Sequence, residues 1–324
     1  MAVALAVAGC AATSVTSVPI TPAPATPSSS TASTSVSPAV SVPPSASAGT
    51  GDASASPSAS PAIPSFDHVY VIILENKEYN QIVGSRSAPY MNSLIAKYGL
   101  ATSFFAETHP SEPNYIALTS GGLQGTDSDG TYNLNVPNLF DQVEASGRTW
   151  RVYAQGYPGG CFKPYAANAV TDGPGQAGDY VRKHNPAMSY TSISGNPTRC
   201  ANIVALAGFD PGAANFELII PNEINDMHSS SVAAGDNFLR VFVPSIVNSP
   251  AFANSALFIT FDEGDTNESG GGHIPTIVAS PGMTPGSRFT QPTNHYGLLR
   301  TIEQAWGLPF LGKAATATAI DIGY

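Results

Sequence analysis

The chain has 324 residues, with 23 Asp and Glu against 13 Lys and Arg and a formal net charge of −10. A protein this acidic repels the phosphate backbone, which excludes nucleic acid as a partner. Small phosphorylated molecules are not excluded, because a bound cation reverses the local potential.

At the N-terminus, residues 2–9 are a short apolar stretch leading to Cys10. Val7-Ala8-Gly9-Cys10 resembles a bacterial lipobox, whose cysteine is lipidated after signal cleavage. No Lys or Arg precedes the stretch, so residues 1–10 read as a truncated signal. Residues 11–64 are dominated by Ser, Pro, Ala, Thr and Val, and Asp52 is their only charge. Such a composition cannot bury a core and predicts a disordered stalk. Residues 65–324 are then the globular part. It holds no apolar run of roughly 18 residues, so no transmembrane helix is expected and the only membrane attachment is a lipid at Cys10. The expected location is extracytoplasmic, either secreted or anchored to the outer face of the cell membrane.

After His68 the chain alternates strand-like and helix-like pieces. Val69–Leu74 reads as a strand, Ala88–Tyr98 as a helix stopped by Gly99, and Leu100–Phe105 as a strand. Pro113–Thr119 and Pro137–Ala145 read as helices, and Trp150–Tyr153 as a strand. Residues 156–200 have little periodicity. Phe216–Ile220 is a strand, Ala233–Val247 a helix, Leu257–Phe261 and Ile274–Ser280 strands, and His295–Trp306 a helix. This order predicts an α/β fold with a mostly parallel central sheet and helices on both faces. Cys161 and Cys200 are an even pair in a chain with an export signal, and a disulfide between them is expected.

Three apolar runs end abruptly in polar clusters: Glu75-Asn76 after Val69–Leu74, Pro221-Asn222-Glu223-Ile224-Asn225-Asp226-Met227-His228 after Leu218–Ile220, and Asp262-Glu263-Gly264-Asp265 after Leu257–Phe261. Strand ends of an open α/β sheet are where ligands bind. Adjacent carboxylates repel unless a cation or donors compensate, and hard divalent ions prefer such oxygen ligands. Ser111 falls at the start of a helix whose first turn holds Pro113. A hydroxyl there is either a capping group or a nucleophile beside free backbone N–H groups. His109, His184, His228, His273 and His295 all fall in loops or at element starts.

Ile72-Ile73-Leu74-Glu75-Asn76-Lys77-Glu78-Tyr79, His109-Pro110-Ser111-Glu112-Pro113-Asn114-Tyr115, Lys183-His184-Asn185-Pro186, Asn225-Asp226-Met227-His228-Ser229 and Thr260-Phe261-Asp262-Glu263-Gly264 occur in the order of the phosphoesterase family. The chain resembles that family's bacterial acid phosphatases and non-toxin phospholipases C over roughly residues 66–310. The resemblance implies an alkaline phosphatase-like fold and hydrolysis of phosphoric esters. It implies a divalent metal on Glu75, Asn76, Asp262 and Glu263 together with Ser111, which is the nucleophile. It implies His184 and His228 at the phosphoryl group, with Asn114 in the catalytic set. Asn76, Asp226, His273 and His295 are expected to bind substrate, and Asp226, His228 and His295 offer a second metal position. The main expectation is an exported phosphomonoesterase acting on a small phosphorylated substrate or a phospholipid. Its rivals are a phospholipase C-type diesterase and a catalytically inactive binding lipoprotein.

Overall fold

The computed structural model describes residues 63–322. The signal at 1–10 with Cys10, and all but the last two residues of the stalk, lie outside them. The strands are β1 His68–Leu74, β2 Gly99–Phe105, β3 Trp150–Ala154, β4 Ala166–Val170, β5 Gly178–Val181, β6 Ile203–Ala205, β7 Phe216–Ile220, β8 Ser255–Phe261, β9 His273–Ala279, β10 Ser287–Phe289 and β11 Thr293–Asn294. The helices of seven or more residues are α1 Pro89–Lys97, α2 Ser111–Ser120, α3 Leu139–Ala145, α4 Val232–Phe242 and α5 His295–Trp306.

The main sheet runs β10-β2-β9-β8-β1-β7-β3-β6, with β11 paired to β2. Every pair is parallel except those of β9, which runs antiparallel to β2 and β8. This is the mostly parallel sheet that the β/α alternation predicts. Along β1 the side chains that point to either face are buried from Val69 onward, so both faces of the sheet are covered. Helix α1 packs against α4, and α2 packs against α5 and α3. All ten residues of α2 are buried, which makes it a core helix and not a surface one. Gly121 ends it in the left-handed conformation, φ 71°, where a Cβ would run into the Leu311 carbonyl.

The differences from the sequence reading have local causes. The helix expected over 233–247 stops at Phe242, because Pro244 starts a separate turn. Helix α3 begins at Leu139, where the Asn138 side chain accepts the Asp141 N–H. The 156–200 segment holds the β4–β5 hairpin, whose short strands show a register shift and hence no clean alternation. Cys161 and Cys200 are bonded as expected, with Cα atoms 5.5 Å apart.

Glu217 lies in mid-sheet on β7, wholly buried, opposite Tyr70 of β1. Its Oε1 accepts the N–H groups of Gly212 and Ala214, each at 3.0 Å. Its Oε2 and the Tyr70 hydroxyl are buried without partners. Burial pushes the carboxyl up to about 7 against the partial relief of those two bonds.

Two expectations follow from these features. Between the ordinary carboxylate range and pH 7 folded Glu217 holds a proton that the unfolded chain has lost, so its contribution to stability falls as pH rises and levels off above 7. Glu217→Gln removes that loss, which amounts to about 3 kcal/mol above pH 7. Urea melts from pH 4 to 8 should show the variant more stable than wild type only at the upper end; a constant offset at every pH refutes this. The disulfide closes a separation of 39 residues, so replacing both cysteines by Ser should cost about 4 kcal/mol in the same melts.

Candidate active site

The strand register builds the site. β1 and β8 pair in parallel through Leu74 opposite Phe261, so the next residues, Glu75 and Asp262, emerge side by side. The Asp262 N–H donates to the Leu74 carbonyl at 2.9 Å, and the Asn76 N–H donates to Asp262 Oδ1 at 3.1 Å. The Asn76 side-chain amide donates to Glu263 Oε1 at 2.7 Å. On the other side of β1, the chain leaving β7 turns so that the Asp226 carbonyl accepts the Glu75 N–H at 2.8 Å. Two residues at these strand ends take the left-handed backbone, Asn76 (φ 45°) and Met227 (φ 83°). For Met227 that conformation is strained, which is a common property of binding sites.

Ser111 is the first residue of α2, and its Oγ donates to Glu75 Oε2 at 3.0 Å. Tyr115, one helical turn later, donates its hydroxyl to Glu75 Oε1. Its ring stacks on His184, with centroids 5.4 Å apart. His184 is buried between two carboxylates, with Nε2 3.2 Å from Glu75 Oε1 and Nδ1 3.4 Å from Asp226 Oδ2. Ligand atoms of Glu75, His184 and Asp226 all lie within 4.8 Å of one another, close enough to share one ion.

The charges in this cluster are unbalanced. Burial raises the Glu75 carboxyl to about 7, although the Tyr115 hydrogen bond partly offsets it. Burial raises Asp226 to about 7 against the pull of His184. Asp262 stands well above the carboxylate range through burial and then the Glu75 charge. Glu263 reaches about 8 through burial and then Asp262, against His109. Asn76 Oδ1 and Asp262 Oδ2 are buried oxygens without a donor. Converging carboxylates and donorless oxygens are what a hard divalent cation requires, so these residues fit one.

The other expected residues fall into two groups. His228 stands at the rim: its ring lies 5.9 Å from that of His184, its backbone N–H donates to Asp226 Oδ1 at 2.7 Å, and its side chain is 32% exposed. Lys183 lies beside it, with Nζ 3.5 Å from His228 Nε2 and 2.9 Å from Asp129 Oδ2. His295 instead turns to Glu107 Oε2 at 2.5 Å and the Phe261 carbonyl at 2.9 Å, and so braces the strand end from beneath; the geometry does not join it to Asp226 and His228 as a second metal position. His273 is not brought into the cluster. It stacks between Tyr79 and Phe105 and bonds the Thr102 carbonyl at 3.0 Å. Asn114 belongs to the support and not to the reacting set. Its Oδ1 accepts the N–H groups of Glu107 and Thr108, and its Nδ2 donates to the Thr108 and Pro110 carbonyls, so both amide atoms are spent on the loop that delivers Ser111.

Sequence reasoning gave no role to Tyr115 or Lys183, and named His109 only as one of five loop histidines. Tyr115 was legible as the residue one turn after Ser111 on the same helix face. Lys183 precedes His184 in its motif. His109 binds Glu263 Oε2 at 2.9 Å through Nδ1 and the Thr266 carbonyl at 2.8 Å through Nε2, a pairing that only tertiary structure shows.

Comparison with known proteins agrees with this picture. A phosphatidylinositol-3-phosphatase of Mycobacterium tuberculosis is 35% identical over 270 residues, covering 81% of this chain and 84% of that protein. An acid phosphatase of Aspergillus fumigatus is 30% identical over 259 residues, 76% of this chain; the match spans only 56% of that relative's length. A structure of an alkaline phosphatase superfamily protein from Vibrio parahaemolyticus superposes with a TM-score of 0.50 at 12% identity, over 80% of this chain and 72% of that one, a likeness of fold. The phosphoesterase family model matches residues 84–309. The chain therefore belongs to the phosphoesterase family and is a hydrolase acting on phosphoric esters.

Proposed function

We propose that the protein is an exported, metal-dependent phosphomonoesterase that uses Ser111 as its nucleophile. The observation that carries the reading is the buried hydrogen bond from Ser111 Oγ to Glu75, at the start of a helix and beside three further carboxylates. A hydroxyl serving only as a cap would bond its own helix's N–H groups, whereas this one bonds a carboxylate 36 positions away.

Ser111 Oγ attacks phosphorus in line, with Glu75 Oε2 as the acceptor already aligned for its proton. The bond from phosphorus to the leaving oxygen breaks, and His228, at the rim beside His184, protonates that oxygen. Water then hydrolyses the phosphoserine. Tyr115 and His184 hold Glu75 in place, and Asn114 holds the loop that presents Ser111. Glu75, Asn76, Asp262 and Glu263 would hold a divalent ion, with Asp226 and His184 close by. Such an ion supplies positive charge that lowers the pKa of a neighbouring hydroxyl and neutralises phosphoryl oxygens.

The names of the two relatives are both phosphatase names, which favours monoester cleavage of a small or lipid-borne phosphate over the phospholipase C-type reading. The intact Glu75, Ser111 and Asp262 set argues against an inactive binding lipoprotein. The Cys161–Cys200 bond suits an oxidising compartment, and no helix among the described residues is long and apolar enough to cross a membrane. A catalytic domain from residue 65 carried on the 11–64 stalk from lipidated Cys10 is the arrangement we favour.

Two measurements test this. Ser111→Ala should lower turnover of p-nitrophenyl phosphate by about a thousand-fold or more while leaving the thermal midpoint near that of wild type. Near-normal turnover sinks the nucleophile. Separately, dialysis of the whole protein against a chelator should abolish activity and lower the thermal midpoint. Added divalent metal restores both, because a ligand of the folded state at a hundred times its Kd adds about 2.7 kcal/mol. A midpoint and an activity indifferent to chelation would remove the metal.

A further inference from the structure

We propose that Lys183 is a substrate-binding residue: its ammonium takes a non-bridging oxygen of a phosphate monoester and so sets the preference for monoesters over diesters. The inference rests on the reading of Ser111 and Glu75 as the reacting centre. It adds a cation that the sequence motif names but does not explain.

Lys183 occupies a defined place. Asp129 uses one carboxylate oxygen to accept the Glu112 N–H at 3.0 Å and the other to hold Lys183 Nζ at 2.9 Å. Glu112 is the residue after Ser111, so a single carboxylate ties the ammonium to the start of the nucleophile helix. On its other side Nζ lies 3.5 Å from His228 Nε2, the imidazole assigned to the leaving oxygen. Lys183 is thus tied through Asp129 to the helix that carries Ser111 and abuts His228 on its other side. Burial alone would push the ammonium down, but Asp129 and the Glu75 charge more than reverse this, so it stays charged.

An ammonium has three donors. Asp129 takes one, and His228 Nε2 cannot accept from the ammonium while it holds the proton it gives to the leaving oxygen, so two are left for a ligand. The side chain is only 8% exposed, so those donors have little bulk water to serve them. The neighbouring cations are spent otherwise. Arg182 donates to the carbonyls of Lys163, Tyr132 and Met188, and Lys77 to those of Asn76 and Met227.

The chemistry of the ligand follows. A monoester dianion carries three charged non-bridging oxygens, and a diester monoanion carries two, its third position being an ester oxygen that accepts hydrogen bonds poorly. A charge-assisted contact in a buried site changes binding by about 10–100-fold, and a diester, with one of those oxygens capped and one charge fewer, offers Lys183 the weaker partner.

The test compares kcat/KM for p-nitrophenyl phosphate and bis-p-nitrophenyl phosphate in the full chain, together with the Kd of inorganic phosphate for the Ser111→Ala protein. Lys183→Met should lower the monoester value by about 10–100-fold, weaken phosphate binding alike, and leave the diester value little changed. Lys183→Arg should recover most of the monoester loss. Equal losses on both substrates, or unchanged phosphate binding, overturn the proposal. If Lys183→Met does not fold, Asp129→Asn carries the test, since it frees the ammonium but keeps its charge: the monoester-to-diester ratio should fall, and an unchanged ratio overturns the proposal. If Ser111→Ala stays active while Lys183→Met still shifts the ratio, the nucleophile assignment fails and the clamp stands.

Discussion

Several buried carboxylates at one sheet edge are the constraint on which the rest of this structure depends. Glu75, Asp226, Asp262 and Glu263 cannot all be ionised in a low-dielectric setting without compensating charge. Nearly every unusual feature nearby answers that problem. Tyr115 donates to Glu75, His184 lies between Glu75 and Asp226, and His109 binds Glu263. The donors supplied are too few to satisfy all the oxygens, and the shortfall is itself a functional property. A site that is electrostatically incomplete on its own fits a cation, whose charge would supply what the protein's own donors do not.

The edge was legible in the sequence because the motif and the sheet obey one periodicity. Short apolar runs that stop just before Glu75 and Asp262 mark parallel strands, and parallel strands in register bring their following residues together, while Asp226 returns to the same edge through the turn after β7. Ser111 was legible because Pro113 marks a helix start. What stayed hidden was the partner of each polar group. His295 looked like one of five loop histidines, yet its two nitrogens are fixed by Glu107, 188 positions away, and by the Phe261 carbonyl. His273 begins a strand whose pairing with β2 carries it to Phe105. Asn114 sits inside a reacting motif but spends its amide on backbone. Such assignments depend on contacts between distant positions, and spacing does not encode them. The short strands β6, β10 and β11 escaped for a simpler reason: two or three residues show no period.

Support for the site is spread over elements that are far apart in the chain. The hairpin segment between the cysteines holds Lys183 and His184 against α2, and Arg182 secures that segment by donating to the Tyr132 and Met188 carbonyls. Glu78 accepts the N–H groups of Asp265 and Thr266, which fixes the turn after Asp262-Glu263; Gly264 lies so close to that carboxylate that a Cβ there would collide with it. The geometry of the reacting groups is thus set by backbone-directed bonds from side chains that need never touch substrate.

The full burial of α2 bears on how the protein moves. A helix enclosed on every side has no route to fray alone, so its amide hydrogens should exchange with solvent only when the whole domain opens. The hairpin of β4 and β5 is the opposite case: β4 is largely exposed and paired on one side only, so it can open at small free-energy cost. The serine therefore keeps its position for as long as the fold persists, while the lysine and histidine that face it ride on a segment joined to a softer part of the chain. Motions that accompany turnover are therefore expected on the side of Lys183 and His184, while the helix that carries Ser111 stays fixed.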